Sequence, residues 1–170
     1  MYVTTPRRPP VRQIELPGGA RRLSTLARID YADAFLVEID ETLDRTPLDW
    51  ARAILEGAPR PFRANAPRIW RALGLEHRRR DRASVLGWPV RLQSPEFALL
   101  GADSRTGMPA ELLVWRPEAG QLLFATLVQH DNPAVRALWA AITPAHQRIV
   151  HALLVRARAR STPEPQAPRD

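Results

Sequence analysis

Few side chains in this sequence combine a reactive type with a suggestive setting. The densest group is Gln129-His130-Asp131-Asn132, followed by Pro133. His130 is the leading candidate for a general base, because an unperturbed imidazole titrates near pH ~6.5 and exchanges protons readily at neutral pH. Asp33 is its candidate partner. It stands in YADAFLVEI, Tyr31 to Ile39, where it interrupts a face otherwise made of Tyr31, Phe35, Val37 and Ile39. Each residue also has an ordinary reading. A strand-end histidine is usually satisfied by backbone or water, and an aspartate near a strand's start is usually exposed or paired with Arg. Asn132 or Asp131 fits a helix N-cap and Pro133 the first helical position, so local structure accounts for three of the five residues in QHDNP.

Other chemistries find less support. The sequence has no cysteine, which removes disulfides and thiolate catalysis. His146 and His151 are five apart, so at about 100° per residue they leave a helix on different sides and cannot share an ion. No HExxH pattern occurs, and no metal is expected. Ser94 and Ser104 lie in turn sequences without a GxSxG elbow. Neither GxGxxG nor a phosphate-loop pattern is present, and no cofactor is expected. The Trp residues read chiefly as packing; Trp88, between Gly87 and Pro89, is the one placed to gate a cavity mouth.

The elements that must position these residues follow from periodicity and punctuation. Residues 1–28 read as a flexible Pro/Arg-rich segment: Pro6, Pro9, Pro10 and Pro17 with Gly18 and Gly19 leave residues 1–20 unable to sustain a helix or a paired strand, and ARRLSTLAR after them admits a short helical turn. YADAFLVEI alternates and predicts a strand. Thr46, Pro47 and Asp49 then mark a helix start, with Trp50, Ile54 and Leu55 as its apolar stripe and Gly57 as its end. A second short helix is predicted from Ala66 to Leu73, after a corner at Pro59 and Pro61. From Ser84 onward, VLGWPVRLQ, SPEFALLGADS, PAELLVWRP and GQLLFATLVQ predict four strands joined by turns too short for parallel crossovers. Val135, Leu138, Trp139, Ile142, Ile149, Val150 and Leu153 then repeat at helical spacing. A kink or restart is expected at Pro144, with Thr143 as a new cap. Residues 161–170 read as a disordered tail, leaving 29–160 as a single domain.

At 170 residues with 45% hydrophobic content, such a domain buries about 70% of its unfolded surface. No apolar run approaches the roughly 18 residues of a membrane span. No signal-peptide pattern opens the chain, and cytoplasm is the default expectation. The net charge of +7 comes entirely from Arg and is terminal: residues 1–28 hold six Arg against Glu15, while residues 29–155 hold fifteen Arg and fifteen acids. Within that neutral part, residues 29–59 carry eight acids and residues 60–82 carry eight Arg, including the run His77 to Arg82. This block reads first as a solvated helix end, and otherwise as a patch for phosphate or an acidic partner. With only Trp70 nearby it lacks the aromatic platform of a single-strand reader, and nucleic acid is not an expected partner.

The order of one strand, two short helices, a run of antiparallel strands and a long amphipathic helix resembles the helix-grip fold of the START-like, or Bet v 1-like (SRPBCC), superfamily. The resemblance covers roughly Ile29 to Ala157. Within it DYADAFLVE, TPLDWARAILEG, VLGW and LLFATLVQHDNPAVRALWAAITPAHQRIVHALL are similar to an actinobacterial domain of unknown function in that superfamily. The resemblance implies an α+β fold in which a curved antiparallel sheet wraps a long C-terminal helix, with a cavity between them. It carries over no catalytic residue, because the superfamily has no universal catalytic motif. The expected interior sets Trp139, Ile142, Val150 and Leu153 against Phe35, Phe97, Leu99 and Phe124. Tyr31, Phe35, Trp88, Phe97, Leu99, Trp115, Phe124, Trp139 and Ile142 are the candidate pocket residues. Three functions are therefore expected in order: binding of a small apolar or amphipathic ligand; an enzyme of cyclase, dehydratase or hydrolase type using His130 with Asp33; and an Arg-rich module for an acidic partner.

Overall fold

The computed structural model describes residues 9–77 and 83–161. The chain is α+β: seven antiparallel strands form one open, curved sheet, and a long C-terminal helix lies against it. The elements are β1 (Val11–Ile14), α1 (Gly18–Arg22), β2 (Tyr31–Glu38), α2 (Pro47–Leu55), α3 (Arg60–Ala72), β3 (Ser84–Val85), β4 (Trp88–Gln93), β5 (Phe97–Ala102), β6 (Ala110–Trp115), β7 (Gln121–Val128) and α4 (Pro133–Ser161). The sheet order is β1-β2-β7-β6-β5-β4-β3. Thus β2 and β7, distant in sequence, lie side by side as the second and third strands from the β1 edge, with Asp33 opposite Thr126 and Phe35 opposite Phe124.

Period two divides the sheet's side chains between two apolar layers. The inner layer takes Phe35, Val37, Leu100, Leu112, Leu122 and Phe124, which meet Trp50 and Ile54 of α2 and Val150 and Leu154 of α4. The outer layer takes Ala34, Leu36, Leu99, Leu113, Leu123 and Leu127. Each large apolar side chain fully buried in either layer contributes about 1.5–3 kcal/mol.

The cover of the outer layer corrects the reading of residues 1–28. Residues 1–8 lie outside the described residues, but Val11 to Ile14 pair with Ala34 to Val37 as an edge strand. Ile14, Leu16, Ala20, Leu23, Leu26 and Ile29 then pack across the outer face. Pro9, Pro10 and Pro17 flank these elements rather than break them, and an edge strand needs only one side of its backbone paired. Gly19 admits α1 closely, since a Cβ there would lie 2.9 Å from the Trp115 ring.

The segment is also pinned electrostatically. Glu111 of β6 is fully buried on the outer face. It accepts from Ser24 Oγ at 2.6 Å and from the Thr25 backbone N–H at 3.1 and 3.2 Å. The Thr25 hydroxyl donates to it as well, and Arg91 of β4 reaches it at 3.3 Å. A carboxyl group taken out of water needs such a full set of donors to offset its lost hydration.

Three local expectations change. VLGWPVRLQ is a hairpin rather than one strand: Leu86 and Gly87 both have positive φ, 49° and 93°, and Val85 pairs with Trp88. Two left-handed residues in succession make the tight turn whose twist matches antiparallel strands. Helix α3 begins at Arg60, not Ala66, with Pro59 as N-cap and Pro61 in its first turn, where a missing N–H costs no helical bond. Pro67 is interior. Helix α4 runs through Pro144 without a restart, and Thr143 Oγ1 donates to Trp139 O at 2.7 Å instead of capping a new helix. Ser161 ends α4, and residues 162–170 of the expected tail lie outside the described residues.

Candidate functional site

Helix α4 packs closely on α2, β1 and β2 and stands away from β6 and β7. The space left there is a cavity of about 490 Å³, walled by the inner face of the sheet, α4, α2 and α3. This lies within the roughly 300–1,000 Å³ typical of small-molecule pockets. Its floor is Ala110, Leu112, Phe124 and Thr126; Trp139, Ile142, His146 and Val150 come from α4. Ala66 is the one buried residue of α3, although Phe62, Ile69, Trp70 and Leu73 of that helix also face the cavity. Ile69 and Ile149, 57% and 48% exposed, stand at the mouth between α3 and α4. Apolar residues left that exposed while lining a cavity mark where it meets solvent.

An aromatic cluster closes one end. Trp70 stacks on His77, with centroids 5.3 Å apart and planes 13° apart, and both meet Trp88 edge-on at 5.5 Å. Burial lowers the His77 pKa, which keeps the ring neutral among its aromatic neighbours. Trp88 is only 3% exposed, so it belongs to this buried end wall and not to the mouth.

The polar part of the wall is a connected group from β2, β7 and α4. Asp33 is buried. Its Oδ2 accepts from the Tyr31 hydroxyl at 2.6 Å and lies 3.2 Å from His146 Nε2. Its Oδ1 accepts from the Thr126 backbone N–H at 3.3 Å. His146 Nε2 is also 3.1 Å from Thr126 Oγ1, and Gln147 Nε2 donates to the Tyr31 hydroxyl at 3.1 Å. Burial is the largest influence on Asp33 and works to raise its pKa. The hydrogen bonds from His146, Tyr31 and Thr126 outweigh it and hold the carboxyl below its ordinary value. Tyr31 moves the opposite way: burial, then its bond to the carboxylate, push its hydroxyl well above the ordinary phenol range. Asp33 is therefore the anion and Tyr31 the neutral donor. Trp139 packs on both partners, 5.2 Å from the Tyr31 ring and 5.1 Å from the His146 ring.

This arrangement corrects the proposed His130–Asp33 pair. His130 sits past the end of β7 and is buried elsewhere: its backbone N–H donates to Asp30 Oδ2 at 2.7 Å, and its carbonyl accepts from Arg28. Burial lowers its pKa. The imidazole that meets Asp33 is His146, which sequence reasoning weighed only as a metal ligand. A usable signal was present. His146 occupies the helical stripe of Trp139, Ile142, Val150 and Leu153, where it is the polar intruder, as Asp33 is in its strand. The rest of QHDNP is local structure, as Asn132 Oδ1 caps α4 by accepting from Val135 N–H at 2.9 Å.

The remaining candidates divide by strand face. Trp88, Phe124, Trp139 and Ile142 line the cavity, and Tyr31 stands behind Trp139. Phe35 is on the inner face but borders a shallower groove between β1 and α4 that also holds Arg12, Gln147, Arg148 and His151. Phe97, Leu99 and Trp115 pack in the outer layer beneath α1 and are not pocket residues. Both faces of β5 and β6 are apolar, so alternation alone does not identify the inner one. Of the basic block, Arg60, Arg63, Arg68 and Arg71 lie on α3, whereas residues 78–82 lie outside the described residues.

Among the described residues, no three potential metal ligands gather and no helix is long and apolar enough to cross a membrane. Comparison of the chain with protein-family models and with curated proteins gives no match.

Proposed function

We propose that this protein binds one small apolar or amphipathic molecule in the cavity between its sheet and α4, on a helix-grip fold of the START-like type. The carrying observation is the cavity itself: about 490 Å³, mostly apolar, open between Ile69 and Ile149, with His146 and Thr126 as polar residues of its inner wall and exposed Asn65 on the α3 side. A hollow of that size costs stability unless something occupies it, because its lining forgoes packing contacts. The fold reading draws support from the adjacency of β2 and β7, the placement of α2 and α3 between β2 and β3, and the final helix over the inner face. β1 and α1 are additions outside that pattern, and they serve the other face of the sheet.

The test is titration with N-phenyl-1-naphthylamine, whose emission rises in apolar surroundings, followed by displacement with alkylbenzenes of increasing length. Saturable binding at one site per chain, displaced more tightly as the chain lengthens until the cavity is full, is the expected result. Absence of saturable binding, together with no small molecule released from the purified protein in native mass spectrometry, would remove the basis of this function.

A further inference from the structure

We propose that Asp33 and His146 form a proton-accepting dyad that selects, and partly ionises, a cavity ligand bearing a phenol or comparably acidic enol hydroxyl. This rests on the cavity reading above and names the ligand class for it. The imidazole uses one nitrogen on the protein: Nε2 faces Asp33 Oδ2 at 3.2 Å and Thr126 Oγ1 at 3.1 Å. Among the described residues, the contacts of the ring nitrogens are these two, both at Nε2. A carboxylate accepts and cannot donate, so it holds its proton-bearing partner at Nε2. Nδ1 then carries the lone pair, on a side chain that lines the cavity. The groups around the ring are Asp33 and the Tyr31 that donates to it from β2, Thr126 from β7, and Trp139 on the same helix.

An acceptor set in an apolar wall selects a ligand that can donate. Hydrocarbons leave Nδ1 unpaired, and a carboxylate ligand would bring a second anion near buried Asp33. In the step itself, the ligand O–H bond breaks, its proton joins Nδ1, and the electron pair stays on the ligand oxygen. The products are a phenolate and an imidazolium, and the imidazolium is paired with Asp33 through Nε2–H. His146 is the group that touches the ligand, and Asp33 is the positioning residue that fixes the tautomer and stabilises the charged ring. The same polarity is met in general-base catalysis on acidic hydroxyls.

The experiment uses para-nitrophenol carrying a pentyl chain ortho to the hydroxyl, alongside the same molecule lacking the hydroxyl. Phenolate absorbance reports ionisation of the bound probe, and dye displacement reports binding of both. The expected result is that both compounds bind and that the bound phenol titrates about one unit or more below the free compound, a tenfold gain in phenolate. Asp33→Asn and His146→Gln should each abolish that displacement while still binding the hydroxyl-free compound. That retained binding shows the cavity intact, and His146→Gln, at a partly exposed helix position, serves if Asp33→Asn fails to fold. Binding of both compounds with an undisplaced titration, or an equal displacement in His146→Gln, overturns the dyad and leaves the cavity standing. Binding of neither overturns both.

Discussion

Gly101→Ala isolates the contact that holds the N-terminal segment onto the sheet. Gly101 lies in β5 beside β4, and its backbone has no positive φ to protect. A Cβ there would lie 2.0 Å from Arg91 Nε, 2.3 Å from Cδ and 2.6 Å from Cζ. Arg91 would have to leave its path over the strand, losing Glu111 at 3.3 Å, Asp103 at 2.5 Å and Thr25 Oγ1 at 3.0 Å. Glu111 would keep Ser24 and Thr25, so the relevant magnitude is a hydrogen bond to a charged group, about 1.5–3 kcal/mol. Stripping a buried pair of all support costs more, about 3–5 kcal/mol. Replacing a strand glycine by alanine returns about 0.5–1 kcal/mol. The expected net loss is about 0.5–2.5 kcal/mol, from combining these ranges, or about 1–10 °C in Tm for a domain of this size. Urea titration followed by Trp fluorescence measures it, repeated in an Arg91→Ala background. There, with no guanidinium to displace, the same substitution should be neutral or slightly stabilising. Equal losses in both backgrounds would refute the reasoning, because they would place the cost in the strand backbone.

Ala110→Leu should project new methyl groups into the cavity. It should escape the roughly 1–3 kcal/mol penalty of overpacking a filled core, while weakening dye binding at least about tenfold, about 1.4 kcal/mol; urea titration and dye titration check the two halves. Asn132→Ala removes the cap of α4 and its bond to Thr106 O at 3.0 Å, and should cost about 1 kcal/mol in urea titration. His77 and His130 both have pKa values lowered by burial, so the unfolded chain binds more protons below its own histidine pKa of about 6.5. Their stabilising contribution should be complete above that pH and decline as the pH falls toward their folded values. Unfolding free energy measured from pH ~7.5 to ~5 should show that decline, and a smaller one in His77→Phe, by the same linkage.

The fold was legible where a residue type admits one local answer. Thr46, Pro47 and Asp49 form the expected cap, with reciprocal bonds of 3.1 Å between Asp49 N–H and Thr46 Oγ1 and between Thr46 N–H and Asp49 Oδ2. The period of β2, the apolar run of β7 and the helical stripe of α4 are equally plain. Face assignment was less so. Both faces of β6 are apolar apart from Glu111, which places Trp115 as readily in the pocket as outside it, and the odd positions are in fact buried under residues 14–29. Nothing local in AELLVW shows that Ser24, Thr25 and Arg91 would arrive to satisfy that carboxylate. The cover itself was concealed by composition: proline and arginine dominate residues 1–28, and the sparse apolar series Ile14, Leu16, Leu23, Leu26 and Ile29 follows neither period cleanly.

The polar site was half legible for a related reason. Asp33 stood out because it breaks an apolar strand face, whereas His146 was passed over because its spacing to His151 excludes a shared metal. Each residue alone has an ordinary explanation. Considered together they do not, because β2 and the apolar stripe of α4 must pack against each other, and a carboxylate and an imidazole then intrude on the same interior. A buried charge with its partners is often no more stabilising than apolar residues of similar volume, and replacing the group can even gain about 1–4 kcal/mol. Stability therefore gives weak grounds for retaining Asp33 and His146 there, with Tyr31, Thr126 and Gln147 arranged around them. The cavity gives a better one, since His146 is the member of that network that both lines it and keeps a nitrogen uncommitted.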